Sequence, residues 1–232
     1  IHTGHYNYEG KRLSYLLNLI CEIKEVERVR ISSIEITELD EEFMNTLKNN
    51  KKIVDHIHIP LQTGCDKVLK DMNRKYDMEY YFNKIKEIKK IRPNMNITTD
   101  VIVGYPTETE DEFEETLKNI EKLEYGKVHV FPYSKREGTP SALLKDLDNS
   151  IKKERVHKLL NLSLKLENNF LNKHLNKEVE FLPEVYKDNY LIGHTGDYAL
   201  VKCKGKENNL HKIIKTKITD IKYPYCIGEN HE

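Results

Sequence analysis

Over its first 135 residues the chain alternates between two hydrophobic rhythms. Leu13, Leu16, Leu17, Ile20 and Ile23 recur at helical spacing, and the run Val29, Ile31, Ser33 then alternates as a strand does. Thr37 to Asp40 reads as a capping box ahead of a helix carrying Phe43, Met44 and Leu47. A strand is predicted over 53–61, a helix over 77–91, and a third strand with few polar interruptions over 97–103. Thr109-Glu110-Asp111-Glu112 forms a capping box that opens a helix with Phe113, Leu117, Ile120 and Leu123 on one face, and a fourth strand follows over 128–131. The opening Ile1-His2-Thr3-Gly4 reads as the end of a strand running into a loop, so the sequence is expected to be a piece of a longer one.

Strands alternating with helices at this spacing imply a parallel sheet with right-handed crossovers, in a partial TIM-like barrel or a doubly wound sheet. In either architecture a ligand site lies at the C-terminal ends of the strands. A long helix is predicted over about 150–175, with Ile151, Leu159, Leu162, Leu166 and Phe170 on its buried side. After Lys177 the texture changes to short β runs over 179–182, 190–192, 198–203 and 213–221, separated by the turn signals Lys187-Asp188-Asn189, Thr195-Gly196-Asp197 and Glu207-Asn208-Asn209. Four or five short strands predict a small barrel, of a kind that often binds RNA. The expected division is an α/β barrel part over 1–149, a connecting helix over 150–177 and an all-β domain over 178–232.

Composition narrows the class. The 232 residues hold 38 basic and 38 acidic side chains, and 38% are hydrophobic, enough for a core. No apolar run approaches the ~20 residues that span a bilayer, and no signal peptide opens the chain. The balanced charge is unevenly spread: residues 151–177 and 200–222 each carry seven Lys or Arg against two acids. That is either a solvated face or a region that neutralises phosphates of a polyanion. Cysteines at 21, 65, 203 and 226 have no metal-binding or redox spacing, and reduced thiols in a cytoplasmic protein are expected.

Candidate chemistry sits at the strand ends. Ser33 and Glu35 offer a hydroxyl and a carboxylate suited to a ribose diol. His56 and His58 share one face of the second strand, either as hydrogen-bonded imidazoles inside a barrel or as a His-x-His metal pair. The metal reading needs further His and Asp ligands on later strands; Asp100 comes early in its strand and no histidine ends one, so that set is incomplete and no metal is expected. Gln62-Thr63-Gly64 places amide and hydroxyl donors at a strand end, with Arg74 in reach as a carboxylate clamp. Gly104 allows a bend or the approach of a flat ring. The following helix N-terminus is already filled by Glu108, Glu110, Asp111 and Glu112, so no phosphate is expected there. Phe131 and Tyr133 set aromatic rings beside backbone groups that suit an adenine edge.

The order of these blocks resembles the radical S-adenosylmethionine (SAM) methylthiotransferases. RISSIE, HIHIPLQTGCDKVLKDMNRKY, TTDVIVGYPTETEDEFEETL and VHVFPYSKREGTPSALL carry the resemblance over almost the whole chain. RISSIE with HVFPYSKREGT is most similar to the tRNA branch that modifies N6-threonylcarbamoyladenosine, and Gly193-His194-Thr195-Gly196-Asp197-Tyr198 is similar to the RNA-binding TRAM domain. The resemblance implies a radical SAM barrel, an OB-like TRAM barrel, S-adenosylmethionine and two [4Fe–4S] clusters in the complete protein, and tRNA as partner. It implies that Ser33, Glu35, Gln62, Arg74 and Asp100 line the S-adenosylmethionine pocket and that Phe131 and Tyr133 flank its adenine. The family's C-x3-C-x2-C motif and its three-cysteine N-terminal domain are absent, so this stretch is expected to be inactive alone, to hold no cluster and to contain no catalytic residue of its own. Asp197 stands where Asn is usual, which is expected to soften RNA contact. Relatives acting on isopentenyl-adenosine or a ribosomal protein, and a plain RNA-binding protein, are the alternatives.

Overall fold

A computed structural model describes residues 3–229; Ile1 and His2, where the strand exit was expected, lie outside the described residues, and Thr3–His5 form a 3-10 turn. A hairpin of β1 (Asn7–Tyr8) and β2 (Lys11–Arg12) leads into α1 (Leu13–Glu22). β3 (Val29–Ile31), α2 (Glu41–Asn49), β4 (Ile53–His58), α3 (Asp66–Asp71), α4 (Met78–Ile91), β5 (Asn96–Val103), α5 (Glu110–Leu123) and β6 (Lys127–Pro132) follow. β3 to β6 pair in that order, all parallel, and among the described residues neither β3 nor β6 has a second strand neighbour. The arrangement is the βα repeat of a partial TIM-like barrel.

Local signals place most of these elements. Thr109 and Glu112 make the reciprocal capping box at α5. At α2 the sequence expectation is off by one turn: Asp40 itself is the cap, accepting from Phe43 N–H at 2.8 Å, and Thr37 belongs to a separate 3-10 turn. The short α3 has too few residues to show a period.

α6 (Asn149–Asn172) runs back across β6 and hands the chain to a closed barrel of β7 (Glu178–Lys187), β8 (Tyr190–Thr195), β9 (Leu200–Lys204), β10 (Ile214–Lys222) and β11 (Tyr225–Glu229). Leu171, Phe181, Leu191, Val201, Ile218 and the thiols Cys203 and Cys226 fill its core. β11 escapes the hydrophobic pattern because one of its two inward positions is Gly228. Tyr198 lies in the turn before β9, not in the strand expected over 198–203.

α6 is bolted down by a buried ion pair. Arg155 Nη1 donates to Glu108 Oε2 at 2.7 Å, with side chains only 5% and 0% exposed, and the same oxygen accepts from Gly104 N–H at 2.6 Å. Gly104 has φ +74°, and the aliphatic stem of Lys152 occupies the space a Cβ would need, so its freedom serves helix packing. Ser163 closes the other end, its hydroxyl bridging Val128 N–H and C=O at 3.1 and 3.0 Å.

Burial, opposed by the Gly104 amide and Arg155, leaves the Glu108 carboxyl above its ordinary value. A raised carboxyl pKa costs stability as pH climbs through it, and loss of the guanidinium enlarges that cost. Arg155→Met is therefore expected to destabilise by about 3–5 kcal/mol at pH 7.5 and by clearly less at pH 5 in urea titrations. Equal losses at both pH values would refute the buried-charge account.

Candidate functional site at the inner face of the sheet

The parallel sheet has two unlike faces. Ile57, Ile59, Ile97, Val101, Val103 and Val128 belong to the apolar core that the helices cover. The alternate positions carry His56 and His58 on β4, Asn96, Thr98 and Asp100 on β5, and Lys127 and His129 on β6, with Arg30 and Ser32 from β3 and its exit. They line a cavity of about 620 Å³, closed from the far side by α6 and by His194, Tyr198 and Leu200 of the closed barrel. Register stacks them: His58 lies beside Thr98, and Asp100 beside His129.

A hydrogen-bond chain crosses the sheet. Thr98 Oγ1 lies 3.1 Å from His56 Nε2 and 2.9 Å from His58 Nδ1, and His58 Nε2 lies 3.3 Å from Asp100 Oδ2. His56 Nδ1 is buried with no partner, and burial, then Arg30, pull this imidazole down to about 4. It is thus neutral with its proton on Nε2, which donates to Thr98. His58 continues the chain, facing Thr98 with Nδ1 and Asp100 with Nε2. Partial desolvation by its neighbours, against the raising effect of Asp100, also holds the surface-exposed His129 below its ordinary value.

The strand-end residues fall into separate groups. Arg74 Nη1 pairs with Glu35 Oε1 at 3.2 Å, while its buried Nε has no acceptor. Gln62 has φ +71°, uncommon for a residue with a Cβ; its N–H donates to Asp100 C=O and its C=O accepts from Ile102 N–H. The cavity wall includes Ser32 and Asp100 but not Ser33, which is half-buried beside it. The Thr63 hydroxyl turns away from any ligand to Thr116 Oγ1 at 3.1 Å. Phe131 is 50% exposed on β6. Tyr133, past the strand end, meets Tyr105 edge-on at 5.3 Å in a small cluster with Cys65 and Val68.

Sequence reasoning missed the contribution of the closed barrel. Tyr198, at φ +72°, stacks on His194 (4.2 Å, 10°) and His56 (4.7 Å), with the Arg30 guanidinium 4.2 Å from its ring centre. Asn96 Nδ2 donates to Asp197 C=O at 2.7 Å, and Asp197 Oδ2 takes His174 Nε2 at 2.7 Å. Asp197 thus holds the turn to the end of α6. The signal available was weak: an aromatic after a Thr-Gly-Asp turn says nothing about a partner 140 residues upstream.

A model of the radical SAM superfamily matches residues 2–120. The chain belongs to the radical SAM superfamily. It is 41% identical, over 99% of its length and 53% of the other, to the threonylcarbamoyladenosine tRNA methylthiotransferase MtaB of Bacillus subtilis. It is 36% identical to the tRNA-2-methylthio-N(6)-dimethylallyladenosine synthase of the same organism, over 97% of this chain and 45% of that one. The chain spans about half the length of these curated relatives. Among solved structures, coproporphyrinogen III oxidase (HemN) from Escherichia coli, a radical SAM enzyme, superposes with a TM-score of 0.55 at 20% identity, over 66% of this chain and 36% of that one. The shared fold accounts for the βα sheet.

Burial opposes charge on His174, but Asp197 and the carbonyls of Leu171 and Phe170 outweigh it and raise its pKa. Burial opposes ionisation of Asp197 too, yet His174 and Thr195 lower its pKa. The imidazole's contribution is full below its ordinary 6.5 and fades as pH rises through the raised value. The carboxyl's is full above its ordinary 3.8 and fades as pH falls through the lowered one. The pair therefore stabilises most between those ordinary values. Thermal melts should show wild type losing its advantage over His174→Gln between pH 6 and 9; a constant gap would refute this.

Proposed function

We propose that this chain is part of a tRNA methylthiotransferase that places a methylthio group on C2 of N6-threonylcarbamoyladenosine in tRNA. The observation that carries the reading is the 41% identity, over 99% of the chain, to a relative named for that nucleoside. Residues 1–149 serve as the C-terminal part of the radical SAM barrel, 150–177 as a connector, and 178–232 as a TRAM domain. The lysines of 200–222 on the closed barrel supply the electrostatic hold on tRNA, in a cytoplasmic setting.

S-adenosylmethionine, when bound and reduced, supplies the radical that activates the base. The residues present fit this cofactor: the buried Arg74 Nε lacks an acceptor, and the partly exposed Glu35 beside it suits a ribose diol or an amine. Gln62 and Asp100 continue the pocket wall, with Ser33 at its rim and Phe131 and Tyr133 toward the adenine. An iron–sulfur cluster does not fit: all four cysteines are buried, and no group of three thiols gathers among the described residues. The clusters, two in the complete enzyme, are held by cysteines outside this stretch, and these 232 residues alone are inactive.

Nucleoside mass spectrometry of tRNA from cells with and without the gene tests the substrate. Loss of the 2-methylthio form with accumulation of N6-threonylcarbamoyladenosine is expected. If the change falls instead on the dimethylallyl-adenosine pair, the substrate named in the 36%-identical relatives takes its place. Arg74→Ala and Gln62→Ala are expected to weaken S-adenosylmethionine binding about tenfold in calorimetry; unchanged binding in both rejects the pocket. The purified chain should contain no acid-labile sulfide.

A further inference from the structure

We propose that His58, Asp100 and His129 form a binding site for one divalent transition-metal ion at the floor of the inner-face cavity. Each offers a ligand atom, and those atoms all lie within 4.8 Å of one another. They come from three adjacent parallel strands, so the backbone ladder fixes their spacing. His58 Nε2 and Asp100 Oδ2 are 3.3 Å apart. That equals the separation of two ligands on a tetrahedral zinc ion, about 3.3 Å for bonds near 2.0 Å. His129, on the edge strand and exposed, has the rotamer freedom to close the remaining gap.

His58 ends β4, while Asp100 and His129 lie within β5 and β6, and parallel register brings the three together. The expected His56–His58 pair is split: His56 stacks on Tyr198, and His58 joins His129. The supporting shell is in place. Thr98 Oγ1, 2.9 Å from His58 Nδ1, accepts that N–H once Nε2 is committed to the ion, as outer-shell oxygens do for ligating imidazoles. The hydroxyl oxygen has two lone pairs, so Thr98 accepts from His56 Nε2 at 3.1 Å at the same time. Of the two cations lining the cavity, Lys127 is paired with Glu167 at 3.2 Å and the Arg30 guanidinium lies on the Tyr198 ring.

Two imidazoles and one carboxylate with no thiolate select a borderline ion such as zinc, iron(II) or cobalt(II). Three protein ligands leave a position open toward the 620 Å³ cavity, the pattern of sites that hold water or substrate. The inference stands independently of the proposed tRNA substrate.

The test uses the purified 232-residue chain after chelator treatment, titrated with zinc in a calorimeter and with cobalt(II) in an absorbance cell. One equivalent should bind, with visible bands of nitrogen- and oxygen-bound cobalt and no near-ultraviolet thiolate band. Asp100→Asn and His129→Ala should each weaken zinc binding about 100-fold, at least the loss that removing an outer-shell partner brings. His157→Ala, exposed on α6, should bind as wild type. His129 is exposed, so its removal leaves the core intact, and circular dichroism checks this. No stoichiometric binding, a thiolate band, or unchanged affinity in both ligand variants would overturn the proposal.

Discussion

The structure depends on one constraint: successive side chains of a strand point to opposite faces of its sheet. In β4 and β5 this separates Ile53, Ile57, Ile97 and Val101 from His56, His58, Thr98 and Asp100. Helices cover the first set, and burial of those aliphatic chains stabilises the sheet. The second set faces a cavity under α6 and the closed barrel rather than a packed helix layer, and so can remain polar. A one-residue slip would bury two imidazoles if it fell in β4, or a carboxylate if it fell in β5, and would turn core side chains outward. Site and core thus specify the same register.

The polar face is completed by elements far away in the chain. α6 carries the closed barrel, and the Arg155–Glu108 pair fixes α6 against the loop between β5 and α5. From there His174 holds Asp197, Asp197 receives Asn96, and Tyr198 reaches His56 and Arg30. Asp197 therefore acts in docking the barrel as well as in its turn.

How much of this was legible is clearest residue by residue. Thr109 and Glu112 are neighbours in sequence, and their capping box needs no tertiary partner. The helical face of Phe113 and Ile120 and the turn at Asp188-Asn189 are likewise local. The pairing of Glu35 with Arg74 joins residues 39 positions apart; both were singled out, but their contact was not foreseen. Tyr133 shows the limit: counting by two from Phe131 puts both rings on one face, but β6 ends at Pro132 and the next ring turns toward Tyr105.

The order of strands and helices, the change of texture near residue 177 and the motif blocks of a radical SAM enzyme were determined by the sequence alone, because periodicity, caps and turn residues act over a few positions. The tertiary structure alone decided that His58 meets Asp100 and His129 rather than pairing with His56, and that Tyr198 closes the cavity. The physical reason is that parallel-strand register and the docking of the closed barrel are set by burial summed over both modules, and no short window of sequence contains that sum.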